Sequence, residues 1–146
     1  MTIEKIKTGT VEEAYDVFLK VPELDRYLSL DDIRSRLTDG ALILIYEIAD
    51  VPVGFKIGYP LDSDKFYSWL GGVLPNHRKS GIAQQLLDYQ ERWVKEQGYR
   101  TISVNSMNRY PSMIRLLVRN RYRIYTVDDF DTDDERIRFR KTLSGR

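Results

Sequence analysis

The sequence predicts a mixed α/β fold, a largely antiparallel central sheet flanked by helices. Three observations carry that reading. The strand-like and helix-like stretches follow the order β-α-α-β-β-β-α-β-α-β-β. Two neighbouring apolar runs are joined by the tight connection "ADVP", too short for a crossover helix. The last two strand-like runs alternate around an acidic turn, as in a terminal antiparallel pair. The chain has 146 residues, 42% of them hydrophobic and 31% charged. That is enough to bury a core in one domain over residues 1–146.

Residues 2–7 read as a short strand. Apolar residues at 11, 14, 15, 17, 18 and 21 recur at helical spacing and stop before Pro22, predicting a helix over 11–21. Ser29 with Asp32 three residues later predicts the cap of a second short helix ending near Gly40. "ALILIYEIA" (41–49) predicts a buried strand, and "VGFKIGY" (53–59) its hairpin partner. A further strand covers 66–75, where Gly71 and Gly72 weaken the strand or mark a bulge. From Gly81 the period changes: Ile82, Leu86, Tyr89 and Trp93 form one helical stripe, and Gly98 is placed to end it. Residues 101–106 predict another strand, Pro111 opens a helix running to about Asn120, and "YRIYTV" and "RIRFRKTL" close the fold.

Composition narrows the function. No apolar run approaches the length of a membrane span, and the first ten residues have no signal-peptide core. No membrane partner is therefore expected, and a cytoplasmic location is. The absence of cysteine removes disulfides, thiolate metal sites and a cysteine nucleophile, and a single histidine, His77, argues against a histidine-rich metal site. No metal is expected. The net charge of +1 does not select nucleic acid. A local run of arginines at 109, 115, 119, 121 and 123 reads as a solvated face or a phosphate-side fringe.

The stretch "VLPNHRKSGIAQQLL" (73–87) carries the chemistry. It puts a glycine-bearing, basic turn where a strand hands over to a helix. The first N–H groups of a helix lack internal partners and form its positive end, so a phosphate or pyrophosphate is the natural guest. Gly81 lets the backbone approach closely, and Arg78 and Lys79 add charge. The other reading is an ordinary loop with solvated cations. A nucleoside-triphosphate loop is excluded, because Val73 and Arg78 stand where its glycines must be, and no G-x-G-x-x-G occurs.

Val73, Pro75, Arg78, Gly81 and Ala83 spell V-x-P-x-x-R-x-x-G-x-A. This resembles the coenzyme A signature of the GNAT superfamily of N-acetyltransferases, and the element order resembles that fold over nearly the whole chain. The resemblance implies acetyl-coenzyme A as co-substrate. Gly71, Gly72 and Val73 would pair with the pantetheine arm. Arg78, Lys79, Ser80, Gly81, Ile82 and Ala83 would hold the pyrophosphate, and the Val73 N–H would be the oxyanion donor. The strands at 66–74 and 101–106 would splay around the thioester. Asn105 falls where many members carry a glutamate or a water-binding residue. Tyr110 falls at a common asparagine, with Asn108 as the alternative on the cofactor side. Leu117 falls at a tyrosine that protonates the leaving thiolate, and Arg121 at a helix-ending glycine.

The resemblance thus implies acetyl transfer to a primary amine of a small molecule or protein by direct attack, with Tyr110 and Asn105 as catalytic candidates. Tyr59 and Tyr67 are further candidates for proton handling; His77 lies before the pyrophosphate turn and is expected to have no catalytic role. The alternative is a catalytically degenerate coenzyme A-binding sensor or interaction module. A homodimer is compatible with such domains. "DDFDTDDE" (128–135), with six acids, reads as a solvated hairpin tip or as a rim attracting cationic amines.

Overall fold

The computed structural model describes residues 3–24, 28–133 and 135–143. The expected element order is reproduced. β1 (Glu4–Thr8) is followed by α1 (Val11–Phe18) and α2 (Leu30–Arg36). Then come β2 (Leu42–Ile48), β3 (Val51–Pro60) and β4 (Lys65–Val73). A short 3-10 turn, Pro75–His77, leads into α3 (Ile82–Glu96), β5 (Thr101–Ser106), α4 (Pro111–Arg119), β6 (Arg123–Asp128) and β7 (Arg136–Thr142). The seven strands form one sheet in the order β1-β2-β3-β4-β5-β7-β6. Every neighbouring pair is antiparallel except β4 with β5.

Local chemistry sets the boundaries. The expected Ser29–Asp32 capping box is present, and a second one joins Thr10 and Glu13 at the start of α1. α1 ends three residues earlier than its apolar spacing predicts. Val21 precedes a proline, which disfavours helical backbone, and the chain tightens into turns in which Lys20 N–H bonds Val17 C=O and Val21 N–H bonds Phe18 C=O. α2 likewise stops at Arg36 because Leu37 is extended, and Gly40 with φ +88° turns the chain into β2. The β2–β3 hairpin turns through Ala49 and Asp50, both at positive φ as a two-residue turn requires.

The sheet has a core on each face. Ala14, Val17, Phe18 and Ile33 of α1 and α2 pack on Ile45, Phe55 and Ile57. On the other face Ile82, Leu86, Leu87 and Val94 of α3, with Leu116 and Leu117 of α4, cover Leu44, Phe66, Ile102 and Phe139. α1 and α2 thus lie on one side, α3 and α4 on the other.

α4 ends without the glycine that suits this position. Arg121 takes φ +71° while its N–H bonds Val118 C=O. A side chain held there costs about 1–2 kcal/mol relative to glycine. Arg121→Gly is expected to raise the unfolding free energy by about 1 kcal/mol, read as a higher denaturation midpoint at unchanged m-value.

Candidate active site

The site is built where the one parallel seam of the sheet comes apart. β4 and β5 pair from Lys65↔Thr101 to Ser68↔Val104 and no further. One residue on, Trp69 is the extra residue of a bulge: Ile57 faces Leu70 while Gly58 faces Ser68. A bulge bends its strand and increases its twist, so β4 leaves β5 at this point. The bulge does not fall at Gly71 and Gly72, which keep regular register with Lys56 and Phe55. Those glycines serve packing instead. A Cβ on Gly72 would meet Val21 Cγ2 at 3.1 Å, and one on Gly71 would meet Phe55 O at 3.4 Å.

Beyond the bulge the edge of β4 is unpaired. Leu74 N–H bonds Val53 C=O at 2.9 Å, and alternation of the antiparallel ladder then turns the N–H and C=O of Val73 and Gly71 away from β3, toward the split. On the opposite wall, buried Ser106 stands on β5 past the last β4 pair. Its hydroxyl has no hydrogen-bond partner among the described residues.

The turn after β4 aims the start of α3 at the same place. Gly81, at φ +85°, is the N-cap residue and supplies no side-chain cap. The N–H groups of the first turn are left for an external acceptor. A Cβ on Gly81 would have only Gln85 Nε2 near it, at 3.9 Å, so the approach is open. Lys79 also sits at positive φ (+63°), and the Ser80 hydroxyl braces the turn by donating to His77 C=O at 2.5 Å. Ile82 is buried and Ala83 exposed. The residues from Arg78 to Ala83 therefore form a backbone cradle at a helix N-terminus.

Several side chains have other work than the sequence expected. Arg78 does not offer its charge to the cradle: its guanidinium grips the Glu23 carboxylate at 2.5 and 2.7 Å, and its Nε donates to Val73 C=O at 3.1 Å. The Arg78 guanidinium in turn holds the Glu23 carboxyl below its ordinary range. Tyr110 is the N-cap residue of α4, and its hydroxyl donates to Glu23 C=O at 2.9 Å. The segment after α1 is thus tied to both lips of the split through one residue. The Asn108 amide donates to the Glu135 carboxylate in the β6–β7 connection. Asn105 lies in the floor, donating to the Tyr67 hydroxyl at 3.1 Å. Burial pushes the Tyr67 phenol above its ordinary pKa, against the pull of Arg36, Arg136 and Arg138.

The sequence of the chain matches the Acetyltransferase (GNAT) family over residues 10–121. The chain belongs to the GNAT acetyltransferase family. By family it is an acyltransferase, and its mixed α/β sheet with four helices among the described residues is the GNAT fold. Solved structures agree on the fold. The ribosomal-protein-S18-alanine N-acetyltransferase from Escherichia coli has TM-score 0.85 at 15% identity, covering 99% of this chain and 96% of that one. Ard1 from Thermoplasma volcanium has TM-score 0.84 at 16% identity, with 97% and 99% covered. A GNAT family acetyltransferase from Elizabethkingia anophelis with acetyl-CoA bound has TM-score 0.74 at 15% identity, with 95% and 97% covered. Among curated proteins, none matches the chain in sequence.

Against the GNAT pattern, Leu117 is fully buried in the core and supplies no proton. A residue that sequence reasoning passed over stands out instead. Lys56 interrupts the apolar run of β3 and is 6% exposed. It shares a face with Leu44 and Gly71, and its Nζ lies 3.7 Å from where a Gly71 Cβ would be. Gly71 is small enough to admit it. No carboxylate among the described residues pairs with it. Burial pushes its ammonium from 10.5 down to about 8, with Glu91 opposing the shift. The only sequence signal was a lysine inside an alternating strand.

The depressed value has a thermodynamic consequence. Below pH 8 the folded state carries a protonated buried amine. Between about pH 8 and 10.5 the folded chain releases that proton while the unfolded chain keeps it, so stability rises with pH. Lys56→Met should remove this rise, which is on the order of 3 kcal/mol across the interval. Denaturant unfolding of both proteins from pH 7 to 10.5 should show the variant's advantage largest at pH 7 and shrinking above pH 8.

Proposed function

We propose that this GNAT acetyltransferase moves an acetyl group from acetyl-coenzyme A to a primary amine by direct attack. The observation that carries the reading is the joint direction of two sets of unpaired backbone donors. The N–H groups of Gly71 and Val73 face the split. The uncapped N-terminus of α3 lies eight residues beyond Val73, at the far side of the same turn. A long ligand with a diphosphate at one end and amide groups along its arm would satisfy both. The orphaned Ser106 hydroxyl adds a polar contact on the opposite wall. The solved relative with acetyl-CoA bound supports the same ligand.

When bound, the coenzyme supplies an activated acyl thioester. The chain supplies position and polarity. The cradle from Arg78 to Ala83 holds the diphosphate through main-chain N–H groups. The Val73 N–H would donate to the acyl carbonyl oxygen as negative charge develops there. Asn105 and Tyr67 line the floor through which an amine reaches the carbonyl, and they order the water that takes its proton. Without cysteine, the chain offers no thiol to carry the acyl group. A second reading is a coenzyme A-binding sensor. It is favoured by the commitment of the Tyr110 hydroxyl to Glu23 and by the burial of Leu117. Turnover of acetyl-coenzyme A with a panel of amines separates the two.

The cradle can be tested with its own control. Gly81 and Gly98 both sit at positive φ, +85° and +96°, and both have room for a Cβ. Gly81→Ala and Gly98→Ala should each lose about 1 kcal/mol of stability from backbone strain. Only Gly81→Ala should bind acetyl-coenzyme A about tenfold more weakly, read by calorimetry and by a smaller ligand-induced rise in Tm.

A further inference from the structure

α1 and α2 cover the first half of their side of the sheet and leave the second half bare. On β7, Ile137 and Phe139 are buried against the α3 side, so Arg136, Arg138 and Arg140 project from the bare face. Asn105 is in register with Arg138 on that face. From the covered half, Arg36 in the last turn of α2 reaches toward the same place. Its Nε donates to the Tyr59 hydroxyl at 3.0 Å, and its guanidinium lies over the Trp69 ring at 4.8 Å. Tyr59 meets Trp69 and Tyr67 edge to face. The acceptor side of the split therefore carries an aromatic cluster, with Arg36 against it on one side and the β7 arginines beyond Asn105 on the other.

Three guanidiniums lie near enough to Tyr67 to oppose the rise that burial gives its phenol pKa: Arg36, Arg136 and Arg138, the last paired with the Asp128 carboxylate. Two acids of the 128–135 stretch have their carboxylates held by hydrogen bonds, and Asp128 stands opposite Arg136 in register. Asp128 accepts from Arg138 Nε, and Glu135 accepts from the Asn108 amide and the Asp131 N–H. Arg36 and Arg136 have no carboxylate at ion-pair distance among the described residues. Where the acidic run alone suggests cationic acceptors, the placement of Arg36 against Tyr59 and Trp69 favours an anionic group.

We propose that the acceptor is an amine bearing a carboxylate, which docks between Arg36 and Arg136 while its amino group passes Tyr67 and Asn105 into the split. The inference rests on the acyltransfer reading above. Arg36 is preorganised for the role: its Nε is occupied and its plane is fixed by Trp69, which leaves its two terminal nitrogens as a fork matching a carboxylate. An anion also relieves the repulsion between guanidiniums on either side of the cluster. A cationic amine such as a polyamine meets the same charges as a barrier.

Two measurements test it. The first is kcat/KM with acetyl-coenzyme A for glutamate, glutamine α-amide and spermidine, in wild type, Arg36→Gln and Arg136→Gln. Glutamate should be preferred at least about tenfold, and each variant should lose about tenfold for glutamate through KM, with acetyl-coenzyme A affinity unchanged. Equal or better use of glutamine α-amide or spermidine overturns the proposal and leaves acyl transfer standing, as does an undiminished glutamate KM in both variants. The second is a titration of tryptophan fluorescence with glutamate in the presence of coenzyme A, which needs no turnover. A saturable change that disappears in Trp69→Phe and Arg36→Gln supports docking even if no amine is acetylated, in which case acyl transfer is the reading that fails. No saturable change in wild type overturns the docking.

Discussion

Everything at the site follows from the point where β4 stops pairing with β5. A parallel pair has evenly spaced, slanted hydrogen bonds. Here the ladder runs through only four residue pairs before the bulge at Trp69 breaks it. The break leaves main-chain donors at Gly71 and Val73, both partly exposed, without strand partners. A ligand that supplies acceptors along this edge would pair with them. On the other face, the same break leaves Trp69 and Tyr67 beside the gap. In the proposed reading, donor and acceptor sites are two sides of one missing stretch of ladder.

The order of elements was legible because each carries a local signature. The Ser29–Asp32 box, the change of period at Gly81 and the proline opening α4 are decided within a few residues. The glycine-bearing turn was legible for the same reason: positive φ at Gly81 and an uncapped helix start are properties of the turn itself. What failed were inferences that needed a partner distant in sequence. A bulge at Gly71 and Gly72 was reasonable from glycine's habits, but register depends on β3, and the extra residue is a tryptophan. The partner of Arg78 was hidden for the same reason, since nothing in its neighbourhood announces Glu23, fifty-five positions earlier. Asn108 likewise answers to Glu135.

Charge shows the same limit most clearly. In the sequence the acids of residues 128–135 stand together, and the arginines that matter stand apart, at 36, 136 and 138. In the fold Asp128 pairs with Arg138 and Glu135 accepts from Asn108, while Arg36, from a distant helix, is brought against Tyr59 and Trp69. A run of like charge reports on solvation of its own segment. The field at a cleft is a sum over elements that topology brings together. Lys56 belongs to the same lesson: its place in an alternating strand was visible, but its burial depends on α3 above it and on Gly71 beside it.

The parallel seam also acts as a mechanical fulcrum. Lys65–Ser68 and Thr101–Val104 join a hairpin block that includes β3 and β4 to one made of β5, β7 and β6. Phe66 and Ile102 face each other in that seam with no solvent exposure. A change in the volume of either side chain would alter the angle between the blocks, and a small rotation there becomes a larger displacement at the lips. The gape of the cleft is therefore adjustable from residues that line neither the split nor the turn after β4. A lineage could refit the width of the cleft through the hinge pin, leaving that turn untouched.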